Sequence, residues 1–512
     1  MKKRNLGDFA KALEDKGLLV EAVLSDPLQP VGYLTYDSRD LGENTLFVCK
    51  GAAFKEIYLQ QVIEKGIAGY VSEKVYENID ADVPHLLVTN IRKAMPVLAG
   101  LYYDDAWKEL NLTGITGTKG KSTTTYYIKS ILDTWMQETG GKATGVISSI
   151  DTYDGVIFEE SHLTTPEVMD LHKHFRNAVD SGIRYMEMEV SSQGLKYDRV
   201  AGITFDVGIF LNISEDHISP LEHPTMEDYF QSKLRIFENT RHAVVNLDSD
   251  RADEVLKASE AAEDRLTFSQ KDPSADIYAY DVRKEEGEIR FNVRFKGNEE
   301  AQMAAFDEPF ALTMPGLFNV ENALAAIACS LFYQVPLRVM QEGLLIARSS
   351  GRMEVYTSKD NKVVAIVDYA HNKLSFEKLF ESTAIEYPGY HIVSIYGCPG
   401  VKALLRRKDL AEVAVRYASK IYIVAEDPGL EPFDHICEDM LQYIKPSGCP
   451  YEIIEDRGEA IRKAVLETQE PTVLLITGKG NETRQKYGAE YLPCVSDVEI
   501  TKKALAEYNE MR

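Results

Sequence analysis

The chain has 512 residues, enough for about two to four domains, and its 44% hydrophobic and 27% charged content is that of a soluble globular protein. A net charge of −24, from 57 basic and 81 acidic side chains, excludes general binding to nucleic acid or to an acidic membrane, since both need basic patches. It leaves room for a local basic pocket.

The amino terminus, Met1-Lys2-Lys3-Arg4, is basic, but Asp8, Lys11, Glu14, Asp15 and Lys16 interrupt any apolar stretch behind it. No signal peptide is expected. No run approaches the ~20 apolar residues of a membrane helix, so the chain reads as cytoplasmic, without membrane insertion. Its six cysteines form no CxxC pair, which suggests neither a disulfide framework nor a zinc site.

Residues 1–108 read as a small α/β domain. Short apolar strands at 45–48, 68–71 and 85–88 alternate with helical patterns such as 58–65. Tyr36-Asp-Ser-Arg39 is either a plain turn with an ion pair or part of a site.

Residues 109–345 form a second unit, opened by a short apolar strand (Leu110, Leu112, Ile115) that runs into Gly117-Thr-Lys-Gly-Lys-Ser-Thr123. A helix follows, with Ile128, Ile131, Leu132, Trp135 and Met136 at helical spacing. Strand, glycine loop and helix N-terminus together cradle phosphate. Loop N–H groups and the helix dipole meet the oxygens, a lysine reaches the terminal phosphates, and Ser or Thr binds Mg²⁺. Gly117, Gly120, Lys121 and Ser122 suit those roles. Ile115 stands five residues before Gly120, where the general pattern has its first glycine, so the spacing is a variant.

Leu163-Thr-Thr-Pro-Glu167 reads as a helix start. A buried strand at 185–190 carries Glu189, a carboxylate placed for a metal or a base, and ends in Ser191-Ser-Gln-Gly194. The strand 207–213 ends in Ser214-Glu-Asp-His217. Pro224 opens a helix whose buried side, Phe230, Leu234 and Phe237, includes Lys233. Residues 276–295 read as a β-rich elaboration. Asn319 and Asn322 open an alanine-rich helix, where capping is the plain expectation.

Residues 346–512 carry the clearest pattern. Strands at 363–367, 392–396, 421–425, 451–454 and 473–476 alternate with helices, which implies a parallel sheet with helices covering it. Four of these strands end in unusual groups: Asp368-Tyr-Ala-His371, Gly397-Cys-Pro-Gly400, Glu426-Asp-Pro-Gly429 and Gly478-Lys-Gly-Asn-Glu482. Ligands of open α/β sheets bind beyond the carboxyl ends of strands, so four such groups on one edge point to a site.

These motifs, in this order from Asp37 to Glu482, resemble those of the Mur ligases, and among them the branch that adds the third peptide residue. The resemblance rests on Gly114-Ile-Thr-Gly-Thr-Lys-Gly-Lys-Ser-Thr123, Thr164-Thr-Pro166, Met188-Glu-Val-Ser-Ser192 with Arg199, and Asn212-Ile-Ser-Glu-Asp-His217. Thr225-Met-Glu-Asp-Tyr229 with Lys233, Asn319-Val-Glu-Asn322, Gly351-Arg-Met-Glu-Val355, Asp368-Tyr-Ala-His371 and Gly478-Lys-Gly480 add to it.

The resemblance implies an α/β architecture of three domains: a UDP-precursor-binding domain, a central P-loop ATPase domain and a carboxyl-terminal Rossmann-like domain. It implies ATP and two Mg²⁺ ions, with a UDP-N-acetylmuramoyl-dipeptide and a free amino acid as partners and a monomeric enzyme. ATP would phosphorylate the dipeptide's carboxylate, and the incoming amine would displace phosphate to form an amide.

Residue by residue, the resemblance makes Lys121, Glu189, His217 and Lys233 the catalytic set. Ser122, Glu189, His217 and a carbamylated Lys233 would hold the metal. Gly117, Thr118, Lys119, Gly120, Thr123, Asn319, Arg352 and Asp368 would contact ATP. Ser38, Gly51, Ala52, Ala53, Thr164, Thr165, Ser191 and Arg199 match contacts to the UDP-precursor. His371, Lys402, Glu426, Asp427, Gly478 and Glu482 fall at the amino-acid side.

Five departures from the family pattern stand out: Lys119 for an asparagine, Gln193 and Asn481 each for a histidine, Lys402 for an arginine expected to grip the α-carboxylate, and Glu426-Asp-Pro-Gly429 for Asp-Asn-Pro-Arg. A lysine pairs with a carboxylate but cannot fork onto it. The loss of the last arginine, which holds the distal carboxylate of diaminopimelate, and the gain of two adjacent acids favour a basic diamino acid, L-lysine before L-ornithine. The alternative for Glu426 and Asp427 is that they cap the next helix. The departures also leave open a different acceptor or a weakly catalytic, precursor-binding paralogue.

Overall fold

A computed structural model describes residues 1–51, 54–161, 163–216, 218–219, 222–285, 287–296, 309–349, 351–401 and 403–512. It is built around three twisted sheets met in chain order. The first runs Leu19–Val23, His85–Val88, Gly69–Ser72, Thr45–Val48, Tyr33–Thr35, parallel except for its first pair. The loops holding Ser38 and Gly51 both leave the carboxyl ends of its parallel strands.

The central sheet has Asn111–Thr116 in its middle, parallel to Tyr185–Glu189 on one side and Phe205–Phe210 on the other. Its edges are antiparallel: Asp151–Tyr153 and Phe158–Glu160 at one end, Ile277–Glu285, Glu288–Phe295 and Phe310–Leu312 at the other. The expected β-rich elaboration at 276–295 is therefore a hairpin that extends this sheet. The parallel strands are buried on both faces because helices cover both, which is why they read as unbroken apolar runs.

The helix Lys121–Thr139 buries Ile128, Ile131 and Leu132 completely, each contributing about 1.5–3 kcal/mol. It packs so closely on Leu337–Ile346 that a Cβ at Gly343 would lie 2.5 Å from the Ile131 Cα.

The third sheet runs Glu354–Thr357, Val363–Asp368, Thr472–Thr477, His391–Tyr396, Lys420–Ile423, Tyr451–Ile453, parallel except at its first strand. Its five parallel strands fall where the alternation of apolar runs and helices placed them. The antiparallel edge strand and a small hairpin, Arg484–Tyr487 with Glu490–Pro493, add to that pattern.

Two helix starts differ from expectation. Thr225, not Pro224, caps Met226–Leu234 by accepting from Asp228 N–H. Glu167 is the N-cap of Val168–Asp180 without capping it by its side chain. That carboxylate is instead taken by Lys50 of the first unit and Arg199 of the central one. The Tyr36 hydroxyl donates to Asp170 at 2.7 Å across the same junction. All six cysteines are free, and no helix among the described residues is long and apolar enough to cross a membrane.

Glu187 lies on the buried strand Tyr185–Glu189, and neither carboxyl oxygen finds a hydrogen-bond partner. Burial pushes its pKa up to about 8. A carboxyl whose folded pKa exceeds its unfolded value takes up a proton on folding, so its contribution falls as pH rises from about 4.5 to about 8. Glu187→Gln should remove that slope. Urea midpoints of variant and wild type should diverge in the variant's favour between pH 5 and pH 8. A constant difference across that range would show that Glu187 does not titrate there.

Candidate active site

The strand Asn111–Thr116 delivers its glycine turn to the carboxyl edge of the central sheet. Gly120 precedes the helix Lys121–Thr139 at φ 84°, a left-handed conformation that favours glycine. A Cβ there would sit 2.2 Å from Asn322 Oδ1. Asn322 is thus pressed against the turn, and its amide donates to Asn319 Oδ1 at 2.9 Å, while Asn319 donates to Pro315 O. The first residue of that helix is Asn319 itself and Phe318 holds the cap position, so neither asparagine is its cap.

Three lysines converge on this turn. Lys121 Nζ donates to Gly117 O at 3.0 Å, and Lys233 Nζ, fully buried, donates to the same oxygen at 2.8 Å. Lys119 Nζ lies 3.5 Å from Asp216. Burial depresses all three ammonium pKa values: Lys119 to about 7, Lys121 downward, and Lys233 well below the usual range, with Lys121 adding repulsion at Lys233. Cations so destabilised by desolvation and by each other call for an anion among them.

Glu189 ends the neighbouring strand and accepts from Ser149 N–H at 2.9 Å and from its hydroxyl at 3.2 Å. Ser149 and Ser122 hydroxyls are 3.1 Å apart, and Arg352 reaches Ser122 Oγ at 3.3 Å from the third unit. Asp368 is fixed by Met353 and Ala370 N–H groups at 2.9 and 2.7 Å.

One cavity of about 220 Å³ is lined by Thr118 to Thr123, Ser149, Thr164, Glu189, Arg352, Tyr369 and His371. A second, of about 90 Å³, shares Lys119, Gly120 and Arg352 and adds Asn322 and Asp368. A third, of about 750 Å³, runs from Thr164 and Ser149 to Asp427, Lys479 and Glu482.

Thr165 binds Ser191 through its hydroxyl and accepts Arg199 at its carbonyl, 2.9 Å away. Thr164, Thr165, Ser191 and Arg199 thus form one wall beside Glu189. Ser38 and Gly51 lie apart, at the edge of the first sheet. Ala52, Ala53, His217 and Lys402 fall outside the described residues.

On the acceptor side, Glu426 is buried and its Oε2 has no hydrogen-bond partner. Burial pushes its pKa up to about 7, opposed by the charges of Arg457 and Arg406. Gly478 leaves room for it, since a Cβ there would be 2.2 Å from Oε2. Asp427 is already taken by Lys479 at 3.0 Å, and Lys479 also pairs with Glu482. Neither Glu426 nor Asp427 caps the following helix, Phe433–Ile444, whose cap position is Pro432.

Residues 115–330 match the Mur ligase middle domain, and residues 351–480 match the Mur ligase, glutamate ligase domain. A UDP-N-acetylmuramyl-tripeptide synthetase of Lactobacillus delbrueckii subsp. bulgaricus is 35% identical, over 97% of each chain. The chain belongs to the Mur ligase family. Enzymes of this family are ATP-dependent amide ligases of peptidoglycan synthesis. Another relative, 36% identical over 97% of this chain and 98% of its own, is the UDP-N-acetylmuramoyl-L-alanyl-D-glutamate--L-lysine ligase of Enterococcus faecalis. The solved structure of a UDP-N-acetylmuramoyl-L-alanyl-D-glutamate--2,6-diaminopimelate ligase superposes with a TM-score of 0.66 at 23% identity, over 99% of both chains, and shares the Mur ligase fold.

Several residues around the site have no local sequence signal of their own. Ser149 is one, visible only as a serine at a strand's carboxyl end. Arg406 is another. It reaches Asp216 from the third unit, while its neighbour Arg407 is consumed by Glu431 and Asp439. The run Leu404-Leu-Arg-Arg407 does not distinguish them.

Gly120→Ala forces a side chain into a left-handed conformation, costing about 1–2 kcal/mol, and drives its Cβ against Asn322. ADP affinity of the folded variant, read by calorimetry, should fall on the order of tenfold. Unchanged affinity would remove this turn from the nucleotide site.

Proposed function

We propose that this Mur ligase adds a basic diamino acid, L-lysine before L-ornithine, to UDP-N-acetylmuramoyl-L-alanyl-D-glutamate, using ATP in the cytoplasm. One observation carries the choice of amino acid: the buried Glu426, whose Oε2 has no hydrogen-bond partner. An ammonium at the far end of the acceptor satisfies it, whereas an apolar end leaves it unpaired and a carboxylate end is repelled. Gly429 offers no cation for a distal carboxylate. That relatives over the full chain length include lysine ligases supports the same reading.

ATP fits the lysine-rich turn, with Lys121 and Lys119 at the phosphates and the 90 Å³ cavity beside Asn322 and Asp368 for the nucleoside. The dipeptide's carboxylate attacks the terminal phosphorus. The oxygen–phosphorus bond forms as the bond to ADP breaks, leaving an acyl phosphate. The acceptor's neutral amine then attacks the acyl carbon, phosphate departs, and the amine's proton is lost to give the amide. The repulsion between carboxylate and triphosphate is what the cations overcome, because two like charges at 4 Å cost about 4 kcal/mol near a protein surface. Arg406, a half-buried cation that reaches from the third unit to Asp216, takes the α-carboxylate in this assignment.

Among the described residues no three carboxylate, histidine or cysteine side chains converge as a metal group. Mg²⁺ needs few protein ligands, since it keeps waters and shares phosphate oxygens. Glu189 and the Ser122 hydroxyl fit such a site, and the ion would neutralise phosphate charge there. Lys233 fits the part of an added ligand. It is buried, and its depressed pKa leaves a neutral amine that can take up CO₂, releasing a proton and becoming a carbamate anion.

Phosphate release with UDP-N-acetylmuramoyl-L-alanyl-D-glutamate, ATP and Mg²⁺ should be strong with L-lysine, weaker with L-ornithine and absent with meso-diaminopimelate. Turnover with diaminopimelate but not lysine would sink the assignment. Lys233→Ala should lower kcat on the order of 10²–10³-fold, with partial recovery in excess formate or bicarbonate. Carbon-13 bicarbonate should give the wild type one carbamate resonance that the variant lacks. A resonance that persists, or full activity in the variant, would rule the carbamate out.

A further inference from the structure

Asp216 lies just beyond the strand Phe205–Phe210, is buried, and receives cations and donors from two units. From its own unit comes Lys119 of the glycine turn, 3.5 Å away. From the third unit come Asn372, whose amide donates to Oδ2, and Arg406, whose Nη2 lies 3.2 Å from Oδ1. We infer that Asp216 is a positioning residue that couples the nucleotide half of the site to the acceptor half, so that phosphate held at Lys119 and docking of the third domain favour one another. The inference rests on the reading of the glycine turn as the nucleotide site.

The arrangement gives the coupling a mechanism and a sign. The Lys119 backbone is fixed on both sides by Asn212, which accepts from its N–H at 2.8 Å and donates to its carbonyl at 3.1 Å. Only the side chain is left to move, and it borders both cavities of the nucleotide site. A phosphate oxygen competes with Asp216 for that ammonium. When Lys119 turns to phosphate, Asp216 loses one counter-charge and holds Arg406 and Asn372 more strongly. By linkage, a docked third domain in turn releases Lys119 toward the nucleotide.

The grip reaches rigid structure. Asn372 caps the helix Lys373–Glu386, its Oδ1 accepting from Ser375 N–H at 3.1 Å while its amide serves Asp216. The same helix carries Lys378, which pairs with Glu321 at 3.3 Å beside the nucleoside cavity. Arg406 stands in the first turn of the helix Leu405–Tyr417. One carboxylate thus orients the cation assigned to the phosphates and the cation assigned to the acceptor's α-carboxylate, and it does so through a lysine that stands where the family pattern has an asparagine.

Asn372→Asp separates the coupling from folding. The cap is kept, because a carboxylate oxygen still accepts from Ser375, but the donor to Asp216 becomes a like charge. Calorimetry on the full chain would measure L-lysine affinity with and without a non-hydrolysable ATP analogue, for wild type, Asn372→Asp, Asp216→Asn and Asp216→Glu. The wild type should bind L-lysine on the order of tenfold more tightly with the analogue present. Asn372→Asp and Asp216→Asn should bring that factor close to one while the analogue still binds, and Asp216→Glu should restore part of it. In turnover, the acceptor KM should rise in the two uncoupled variants by a larger factor than kcat falls. Coupling that survives in both overturns the inference. So does a wild type that binds the analogue without coupling, which leaves the nucleotide site standing. A wild type that binds no analogue overturns both readings.

Discussion

The structure depends on one electrostatic problem: a buried lysine and three half-buried cations share the space around a single glycine turn. Lys121 and Lys233 both donate to the carbonyl of Gly117, and Lys119 and Arg352 stand close by. In water such a cluster would disperse. Here the lysines are desolvated, and their ammonium groups are held by backbone carbonyls and by Asp216, so each gains when an anion enters. The fold supplies the rigidity this needs. Asn111–Thr116 is clamped between two parallel neighbours, and the helix behind the turn is fixed by a completely buried apolar face. Pre-oriented charges of this kind reorganise little during reaction, which is where preorganised sites gain over water.

The same edge gathers the rest of the site. The central and third sheets each turn strand carboxyl ends toward neighbouring cavities: Glu189 lines the one at the glycine turn, Asp368 the one that shares Lys119, Gly120 and Arg352 with it, and Asp427 the larger one beyond. Contacts between the central and third units include polar pairs, Arg352 with Ser122, Lys378 with Glu321 and Thr483 with Glu160 at 3.0 Å, beside the apolar seat of Phe318 on the third unit's core. Polar junctions suit units that must part to admit substrates and meet to react, because such contacts exchange with water at little net cost, whereas apolar ones do not.

Much of this was legible in the chain. The five parallel strands of the third sheet were visible because both their faces are buried, and Gly-Lys-Ser after an apolar strand has few other uses. Glu189 and Lys233 could be picked out as polar residues within apolar patterns. What escaped was set by residues distant in sequence. Arg406 and Arg407 are adjacent and chemically identical, and only Glu431 and Asp439, which claim Arg407, separate their roles. Asn322 reads as one of two candidate caps until Gly120 is folded against it. Asp216 stands in the motif Asn212 to His217, but its reach into the third unit shows only in the fold, where Asn372 and Arg406 meet it beside Lys119. Periodicity reports burial within an element. It is silent on which elements meet.

On the proposed assignment, selectivity for the acceptor is a matter of where charge is already balanced. Asp427 is neutralised by Lys479, whereas Glu426 keeps one buried oxygen, Oε2, without a hydrogen-bond partner. Behind it Arg457 is locked by Asp497 and by the carbonyl of Thr477, 2.9 Å away, so it cannot swing out to greet a substrate. Its field stabilises the ionised form of Glu426 against burial without satisfying the free oxygen. An acceptor ending in an ammonium completes this arrangement. One ending in a carboxylate meets Glu426 with no compensating arginine, because Gly429 stands at that position. A site that leaves a buried carboxylate unpaired against the wrong acceptor discriminates more steeply than a pocket that merely measures length, since the penalty is desolvated charge rather than a missing methylene.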